Sequence, residues 1–191
     1  MEFISKLKSQ ISKLQQGFTL IELLVVIGVL GILATGLLAT IDPLEQFRKG
    51  ADSNRKTTSL ELNNALTRYY SVHGTFPWDT VANGGAGCNG GVAPAATRVS
   101  NVTGASSFND CLTKLASEGE LKSTFATQYS VLNKLYITET TPTGSTAKSA
   151  AICYDPESKS ESIRPETKYS QNPTGAVCDP ATSTTCYWCA Q

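Results

Sequence analysis

The stretch GFTLIELLVVIGVLGILA, residues 17–34, decides the fold. It opens an apolar run over residues 18–41 whose only charged residue is Glu22. As a helix, this run would measure about 36 Å at ~1.5 Å per residue, against a bilayer hydrocarbon core of roughly 30 Å. Because Leu, Ile and Val dominate the run, we predict a membrane-spanning helix.

Two residues distinguish this run from a plain membrane anchor. A carboxylate such as Glu22 is costly in hydrocarbon and usually marks function, although its early position also suits a place among the lipid headgroups. Gly17 stands at the polar–apolar boundary, before the apolar core, whereas the cleavage site of a secretory signal peptide follows the core.

The motif Gly17-Phe18-Thr19-Leu20-Ile21-Glu22 follows a basic leader and precedes the long apolar run. In that order, these residues resemble the amino-terminal motif of type IV pilins and of the pseudopilins of type II secretion. The resemblance implies cleavage after Gly17 and N-methylation of Phe18, both by a prepilin peptidase/N-methyltransferase. A second segment, YYSVHGTFP at residues 69–77, resembles the end of the first helix in the same family.

Helix flexibility is the expected role of three glycines in the run and of the proline after it: Gly28, Gly31, Gly36 and Pro43. Glycine costs about 1 kcal/mol against alanine in a solvated helix. Small residues also let helices approach closely, although glycine is common in membrane helices generally. In the family, part of this helix can unwind between a glycine and a proline. Gly31 resembles that glycine, but Ala39 stands where many members place the proline.

The chain is predicted to have four segments: a cleaved basic leader (1–17), a transmembrane and filament-core helix (18–41), an amphipathic half-helix (42–73) and an extracytoplasmic head (74–191). The leader carries three lysines against Glu2, and this net charge of +2 predicts that it stays cytoplasmic. The head holds eight Lys/Arg and ten Asp/Glu, so we expect no nucleic-acid partner.

The fold class predicted is α+β, with a long amino-terminal helix packed on a small antiparallel sheet as in type IV pilins. The helix would run for ~80 Å from Phe18 to about His73, with a kink or an Asp N-cap at Asp42-Pro43 and Gly74 as C-cap. The apolar stripe of its second half would be Leu44, Phe47, Ala51, Leu62, Ala65, Leu66 and Tyr69.

The predicted head begins with a loop over 79–107 that carries a short strand near 97–102, followed by a helix over 108–118. Alternation from Gln128 predicts a strand that is broken around Asn133-Lys134 and runs through Tyr129, Val131, Leu135, Tyr136 and Ile137. Residues 150–154 and 159–163 are predicted to form a hairpin, and a further strand is expected around Tyr187.

All six cysteines lie in the predicted head: Cys88, Cys111, Cys153, Cys178, Cys186 and Cys189. An even count in an external domain predicts a disulfide framework, whose pairing the sequence leaves open. Cys88 and Cys111 are candidates to tether the long loop. The spacing of Cys186 and Cys189 also fits zinc or a redox dithiol, but a zinc site normally needs a second close pair.

No catalytic constellation is found, so we expect no enzyme, no cofactor and no metal site. The sequence contains no Gly-rich phosphate loop and a single histidine, His73, which is expected to interact with the end of a helix. The function predicted is a structural pilin subunit, inserted in the inner membrane as a single-pass prepilin with its head outside. It would then polymerise into a cell-surface filament (fimbrium) through its amino-terminal helix.

The partners implied by the resemblance are the peptidase, copies of this chain and other pilins, and an inner-membrane assembly platform. Glu22 would be unpaired in membrane and filament alike unless it meets a cation, and the amine created at Phe18 of a neighbouring subunit would supply one. The alternatives are a type II secretion pseudopilin, a minor pilin, and an external binding domain that never polymerises. Asp179 alone is a poor match to the calcium-binding aspartates of the major pseudopilin.

Overall fold

The computed structural model describes residues 17–40, 42–79, 87–99, 108–141, 148–167, 169–170, 178 and 185–191, with the side chains of 38–40 left out. Contacts divide the chain into two units. The amino-terminal unit ends at Pro43, and the carboxy-terminal unit runs from Leu44 to Gln191. The predicted leader lies outside the described residues except for Gly17.

Among its described residues, the amino-terminal unit contains one helix, α1, over Leu20–Thr40. Every side chain described from Gly17 to Leu37 is exposed. Within α1, Leu20–Leu37 is long and apolar enough to cross a membrane. Such an uncovered apolar helix is stable in lipid or against other apolar helices, and the described residues of its own unit do not cover it.

The second helix, α2, spans Pro43–His73 and is separated from α1 by the non-helical Asp42. Pro43 occupies the first helical position, where a missing N–H is tolerated, and proline disfavours helical geometry in the residue before it. The structure therefore has two helices with a break at Asp42, where the sequence predicted a kink or an Asp N-cap within one long helix. The helix ends at Gly74, which has φ +70° and donates its N–H to the Tyr70 carbonyl at 2.8 Å.

The predicted apolar stripe of α2 is correct only in its second half. Leu62, Ala65, Leu66 and Tyr69 are fully buried. Leu44 and Phe47, by contrast, are 57% and 77% exposed. The residues buried in between are polar: Asp52, Arg55, Thr58 and Ser59. An ion pair between Asp52 and Arg55 makes this burial possible, and periodicity of apolar residues alone does not detect it.

In the part of the chain that the structure describes after α2, the carboxy-terminal unit has three short helices and four strands. Two single 3₁₀ turns lie at Asn89–Gly91 and Phe125–Thr127. In chain order the elements are β1 (Thr97–Arg98), α3 (Asn109–Ser117), α4 (Tyr129–Leu132), β2 (Leu135–Thr140), β3 (Ser149–Tyr154), α5 (Lys159–Ser162) and β4 (Trp188–Ala190). The predicted helix over 108–118 and the strands near Thr97 and Tyr187 are confirmed in position.

The sheet is an antiparallel meander in the order β1-β2-β3-β4. Its central register pairs Ile137 with Ile152 and Ile152 with Ala190. Successive side chains point to opposite faces. One face joins α2 and α3 in the main core, whose largest fully buried side chains include Trp78, Tyr69, Tyr154, Phe108, Phe125, Leu62, Leu66, Leu112, Leu115 and Leu135. The predicted α+β class, with a helix packed on a small antiparallel sheet, is confirmed.

Two strand predictions are wrong. Residues 129–132 form α4 rather than a strand, and β2 begins only at Leu135. The hairpin predicted between 150–154 and 159–163 does not form, because β3 pairs with β2 and β4 instead. Residues Lys159–Ser162 are helical, with Ser158 Oγ accepting the Glu161 N–H at 3.3 Å as an N-cap.

Candidate functional site: the start of the apolar helix

The first turn of α1 is fixed by reciprocal hydrogen bonds between Thr19 and Glu22. Thr19 donates its N–H and its hydroxyl to Glu22 Oε2, at 2.9 and 2.7 Å, and Glu22 donates its N–H to Thr19 Oγ1 at 3.3 Å. This arrangement is a capping box, in which two otherwise unpaired N–H groups at a helix start are satisfied. The spacing Thr-x-x-Glu is its sequence signature.

These bonds correct the expectation that Glu22 has no partner without an external cation. Both bonds from Thr19 end on Oε2, and within the described residues no hydrogen bond reaches Oε1. The carboxylate is therefore oriented by its own chain through Oε2, and Oε1 keeps its capacity to accept a hydrogen bond. The capping role was missed, although the Thr-x-x-Glu spacing is visible in the sequence.

The two residues of the predicted cleavage site are accessible. Phe18 is 85% exposed, and Gly17 is exposed and lies outside any helix. A shallow apolar hollow of about 400 Å³ follows directly, bounded by Phe18, Ile21, Glu22, Val25 and Val26. The only charged group on its rim is the Glu22 carboxylate, so the hollow combines an apolar surface with a single negative charge.

The glycines assigned to helix flexibility are not required by packing inside the subunit. A Cβ placed on Gly28, Gly31 or Gly36 meets nothing within 4 Å, apart from the helix's own backbone. All three lie in unbroken helix, and the interruption occurs later, before Pro43. A packing role for these glycines therefore requires a neighbour that the described residues do not supply.

All six cysteines are paired in disulfides: Cys88–Cys111, Cys153–Cys189 and Cys178–Cys186. The first joins the segment after α2 to α3, and the second crosses between the neighbouring strands β3 and β4. Cys186 and Cys189 thus belong to different disulfides, and neither is available as a thiolate for zinc or as half of a redox dithiol.

His73 is a helix-end residue in the structure. Its ring stacks on Tyr69 with 4.0 Å between centroids, and its Nδ1 lies 3.1 Å from the Tyr69 carbonyl oxygen. Among the described residues, no group of three or more His, Cys, Asp or Glu side chains is placed to hold a metal ion. Asp179, which is a poor match to the calcium-binding aspartates of the major pseudopilin, lies outside the described residues.

A buried charge cluster in the carboxy-terminal unit was also missed by sequence reasoning. The Asp52 carboxylate, 2% exposed as a residue, accepts the backbone N–H groups of Glu157 and Ser158 at 3.1 and 2.8 Å. Arg55 bonds Asp52 at 3.0 Å and Glu157 at 2.6 Å. The opposite charges three residues apart on a helix were the available signal. The cluster attaches the segment after β3 to α2.

A second polar network closes the turn after α2. The Trp78 indole donates to Glu139 Oε2 at 2.6 Å, and Lys148 Nζ lies 2.8 Å from Asp79 Oδ1 and 3.3 Å from Glu139. The hydrogen bond to Asp79 raises the pKa of Lys148, and the Glu139 charge adds to this effect. Both networks stabilise the fold, and neither presents a reactive constellation.

Comparison with known proteins locates the informative region at the amino terminus. Residues 12–38 match the family described as the prokaryotic N-terminal methylation motif. No curated protein and no solved structure matches the chain. The matched segment contains the capping box, the accessible Phe18 and most of α1. The chain therefore carries the N-terminal methylation motif that is the hallmark of the prepilins of type IV pili and pseudopili.

Proposed function

We propose that this chain is a structural pilin subunit of a type IV pilus-like filament. It enters the inner membrane as a single-pass prepilin with its carboxy-terminal unit outside, and a prepilin peptidase cleaves it after Gly17 and methylates Phe18. It then joins copies of itself and other pilins through the apolar helix at an assembly platform. The proposed leader is 1–17, the filament-core helix 18–41, the amphipathic half 42–73 and the head 74–191.

The observation that carries this proposal is the exposure of every described side chain of α1, most of which lies within the methylation motif. A helix whose apolar side chains are all uncovered needs an apolar environment, which lipid supplies before assembly and neighbouring helices supply afterwards. Transfer between the two environments costs little, because both are apolar. The three disulfides support a carboxy-terminal unit in an oxidising compartment outside the cytoplasm.

Glu22 is proposed to guide assembly. Cleavage would create an ammonium at Phe18, and Glu22 Oε1 on an adjacent subunit could accept a hydrogen bond from it while Oε2 keeps the bonds from Thr19. A subunit out of register would leave a charge in an apolar core, which costs several kcal/mol. The pairing thus selects one axial position for each new subunit.

Mass spectrometry of the mature protein tests the processing. The expected product begins with N-methylated Phe18 and is found in surface filaments by electron microscopy. A protein that keeps its leader in a host with an active prepilin peptidase, and that stays monomeric in the envelope, would contradict the proposal.

Three variants separate the charge of Glu22 from its capping role. Glu22→Lys and Glu22→Gln are expected to insert into the membrane and to be processed, but to be incorporated at less than about a tenth of the normal level, since an uncompensated charge costs at least ~1.4 kcal/mol. Glu22→Gln retains an acceptor for the capping bonds. Thr19→Ala, which weakens the cap by ~1 kcal/mol but keeps the charge, is expected to assemble. Normal assembly of Glu22→Gln would show that the charge is not used.

A further inference from the structure

A basic groove of about 480 Å³ lies between α2 and the segment around α5. It belongs wholly to the carboxy-terminal unit. We define the basic groove by its lining residues, which are three cations, one carboxylate and three serines: Lys49, Lys56, Arg164, Glu161, Ser53, Ser158 and Ser160. Lys49, Ser53 and Lys56 are spaced by four and three residues along α2, so one face of the helix forms one wall.

The charge of the groove is positive after its internal ion pairs are counted. Glu161 is shared by Lys56 at 3.4 Å and Arg164 at 3.0 Å, which leaves one of these two cations without a compensating charge from the lining. Lys49 has no ion pair within the described residues. Glu45 lies at the margin, where its Oε1 accepts the Ser160 N–H at 3.4 Å. Cations still exceed carboxylates by one when Glu45 is included.

The groove contains more hydrogen-bond donors than the Glu161 carboxylate in its lining can pair with. Ser158 Oγ already accepts the Glu161 N–H, so its O–H remains a donor, and Ser53 and Ser160 supply two more hydroxyls. Arg164 Nε lies 3.0 Å from Glu161 Oε2, and its guanidinium offers a planar fork of N–H donors that matches phosphate. Hydroxyls, an ammonium and a guanidinium together fit an oxyanion with three or more acceptor oxygens.

The walls of the groove are held in place by the buried cluster below them. Asp52 binds the backbone N–H groups of Glu157 and Ser158, and this fixes the start of the second wall against α2. Ser158 is 1% exposed as a residue, so its hydroxyl is positioned rather than mobile on the surface. The groove is therefore a built feature of the fold and does not depend on a chance approach of long side chains.

We propose that the basic groove binds the phosphate of an anionic phospholipid headgroup while the subunit waits in the membrane. This inference rests on the membrane-inserted state of the proposed function. Along α2, Lys49 lies only about 9 Å from Pro43 and Lys56 about 20 Å, at ~1.5 Å per residue, and Pro43 directly follows the apolar segment. At about 9 Å, Lys49 lies within the distance over which an anionic bilayer surface attracts basic residues, whereas Lys56 lies beyond that distance.

The binding would favour the membrane-inserted subunit over the assembled one. A headgroup bound in the groove stabilises the protein only while lipid is present, and it is released when the subunit leaves the bilayer. The lipid composition of the membrane would thereby influence how readily subunits are extracted. Free phosphate offers the same chemistry, so the experiment must distinguish the two sources.

Lysine acylation rates in nanodiscs test the proposal on the full-length chain. The rates of Lys49 and Lys56 are compared in discs of phosphatidylcholine alone, in discs with phosphatidylglycerol added, and in phosphatidylcholine discs with inorganic phosphate. Lys159 lies on α5 outside the groove lining and Lys122 is exposed elsewhere in the same unit, so both serve as internal references. Arg164→Gln and Lys122→Gln are the matched variants.

Acylation of Lys49 is expected to slow about fivefold with phosphatidylglycerol, the factor that corresponds to ~1 kcal/mol for a basic residue at an anionic surface. Arg164→Gln should abolish this protection and Lys122→Gln should not. If Lys159 is protected as much as Lys49, the protection comes from the surface potential of the membrane and not from the groove. If inorganic phosphate protects Lys49 as much as phosphatidylglycerol does, the ligand is free phosphate. Either result overturns the proposal. Unchanged rates in an inserted protein would overturn the groove alone, whereas failure to insert, seen by flotation, would overturn the proposed function as well.

Discussion

The two units of this chain differ in whether their own residues bury their apolar side chains. The carboxy-terminal unit closes a core with its own residues, and Leu62, Leu66 and Tyr69 of α2 are fully buried there. In the amino-terminal unit every side chain described from Gly17 to Leu37 is exposed, although this is the most apolar part of the sequence. Apolar composition alone therefore does not distinguish a core from a surface that awaits a partner.

The same contrast holds for the two acidic residues that matter most. Glu22 lies in the apolar sequence yet is exposed, and it closes a capping box. Asp52 lies in a polar sequence yet is buried, and it organises a charge cluster.

Both tryptophans, Trp78 and Trp188, belong to the carboxy-terminal unit, so tryptophan fluorescence during urea unfolding in detergent reports on that unit alone.

The largest expected difference between the units is in the effect of a Leu→Ala substitution on the free energy of unfolding. Leu66→Ala removes a fully buried side chain and is expected to lower the free energy of unfolding by about 4 kcal/mol, as transfer and cavity costs add. Leu33→Ala removes a side chain that is 58% exposed in α1 and should leave that free energy unchanged. Urea midpoints by fluorescence measure both, and a comparable loss from Leu33→Ala would mean that the units are energetically coupled.

Removal of the buried acid is expected to rank second. Asp52→Ala leaves the buried Arg55 with Glu157 as its remaining ion-pair partner among the described residues, and it removes the acceptor of two backbone N–H groups. We expect a loss of about 3 kcal/mol in the free energy of unfolding. The control is Asp110→Ala, which removes the same charge from a residue that is exposed at the start of α3. Similar midpoints for the two variants would contradict the assigned role of the cluster.

The sequence predicted those features that depend on local, repeated patterns. The apolar run of α1, the stripe from Leu62 to Tyr69, the end of α2 at Gly74 and the helix over Asn109–Ser117 follow from composition, periodicity and terminal residues. The interruption before Pro43 follows from the geometry of proline. At the site itself, the sequence located the accessible Phe18 and the acidic residue Glu22.

The features that were missed depend on side chains that hydrogen-bond the backbone. Thr19 with Glu22 and Ser158 with Glu161 both have the Ser/Thr-x-x-Glu spacing, and both start helices. The second of these accounts for α5 where a strand was expected. Burial of Asp52 depends on backbone groups more than one hundred residues later in the chain, and no local pattern encodes that contact.

Removal of a buried hydroxyl should change the free energy of unfolding by a smaller amount and in the opposite direction. Tyr154 is fully buried, and within the described residues its hydroxyl has no hydrogen-bond partner. Tyr154→Phe is therefore expected to raise the free energy of unfolding by about 1 kcal/mol at pH 7. Tyr129→Phe, at a residue that is 53% exposed, is the matched control and should change nothing. A loss of stability in Tyr154→Phe would indicate that the hydroxyl is bonded.

The pH dependence of the same variant provides a second measurement. Burial, with the nearby Glu161 and Asp52 charges, raises the pKa of Tyr154 well above its ordinary value of 10.0. The folded state then holds a proton that the unfolded state has released, so stability is fully present below pH 10 and falls as the pH rises beyond it. Tyr154→Phe should flatten this fall. The raised pKa of Lys148 leaves a residual slope that begins near 10.5.

The smallest expected change in the free energy of unfolding comes from replacing a helical glycine, which each unit contains. A Cβ added at Gly31 in α1 or at Gly50 in α2 meets nothing within 4 Å beyond the local helix backbone. Gly50→Ala should raise the free energy of unfolding by ~0.5–1 kcal/mol, because alanine loses less backbone entropy in a helix. Gly31→Ala should leave it unchanged, since the fluorescence reports on the other unit. If Gly31→Ala nevertheless reduces filament yield while Gly50→Ala does not, the free space at Gly31 is used by a neighbouring helix.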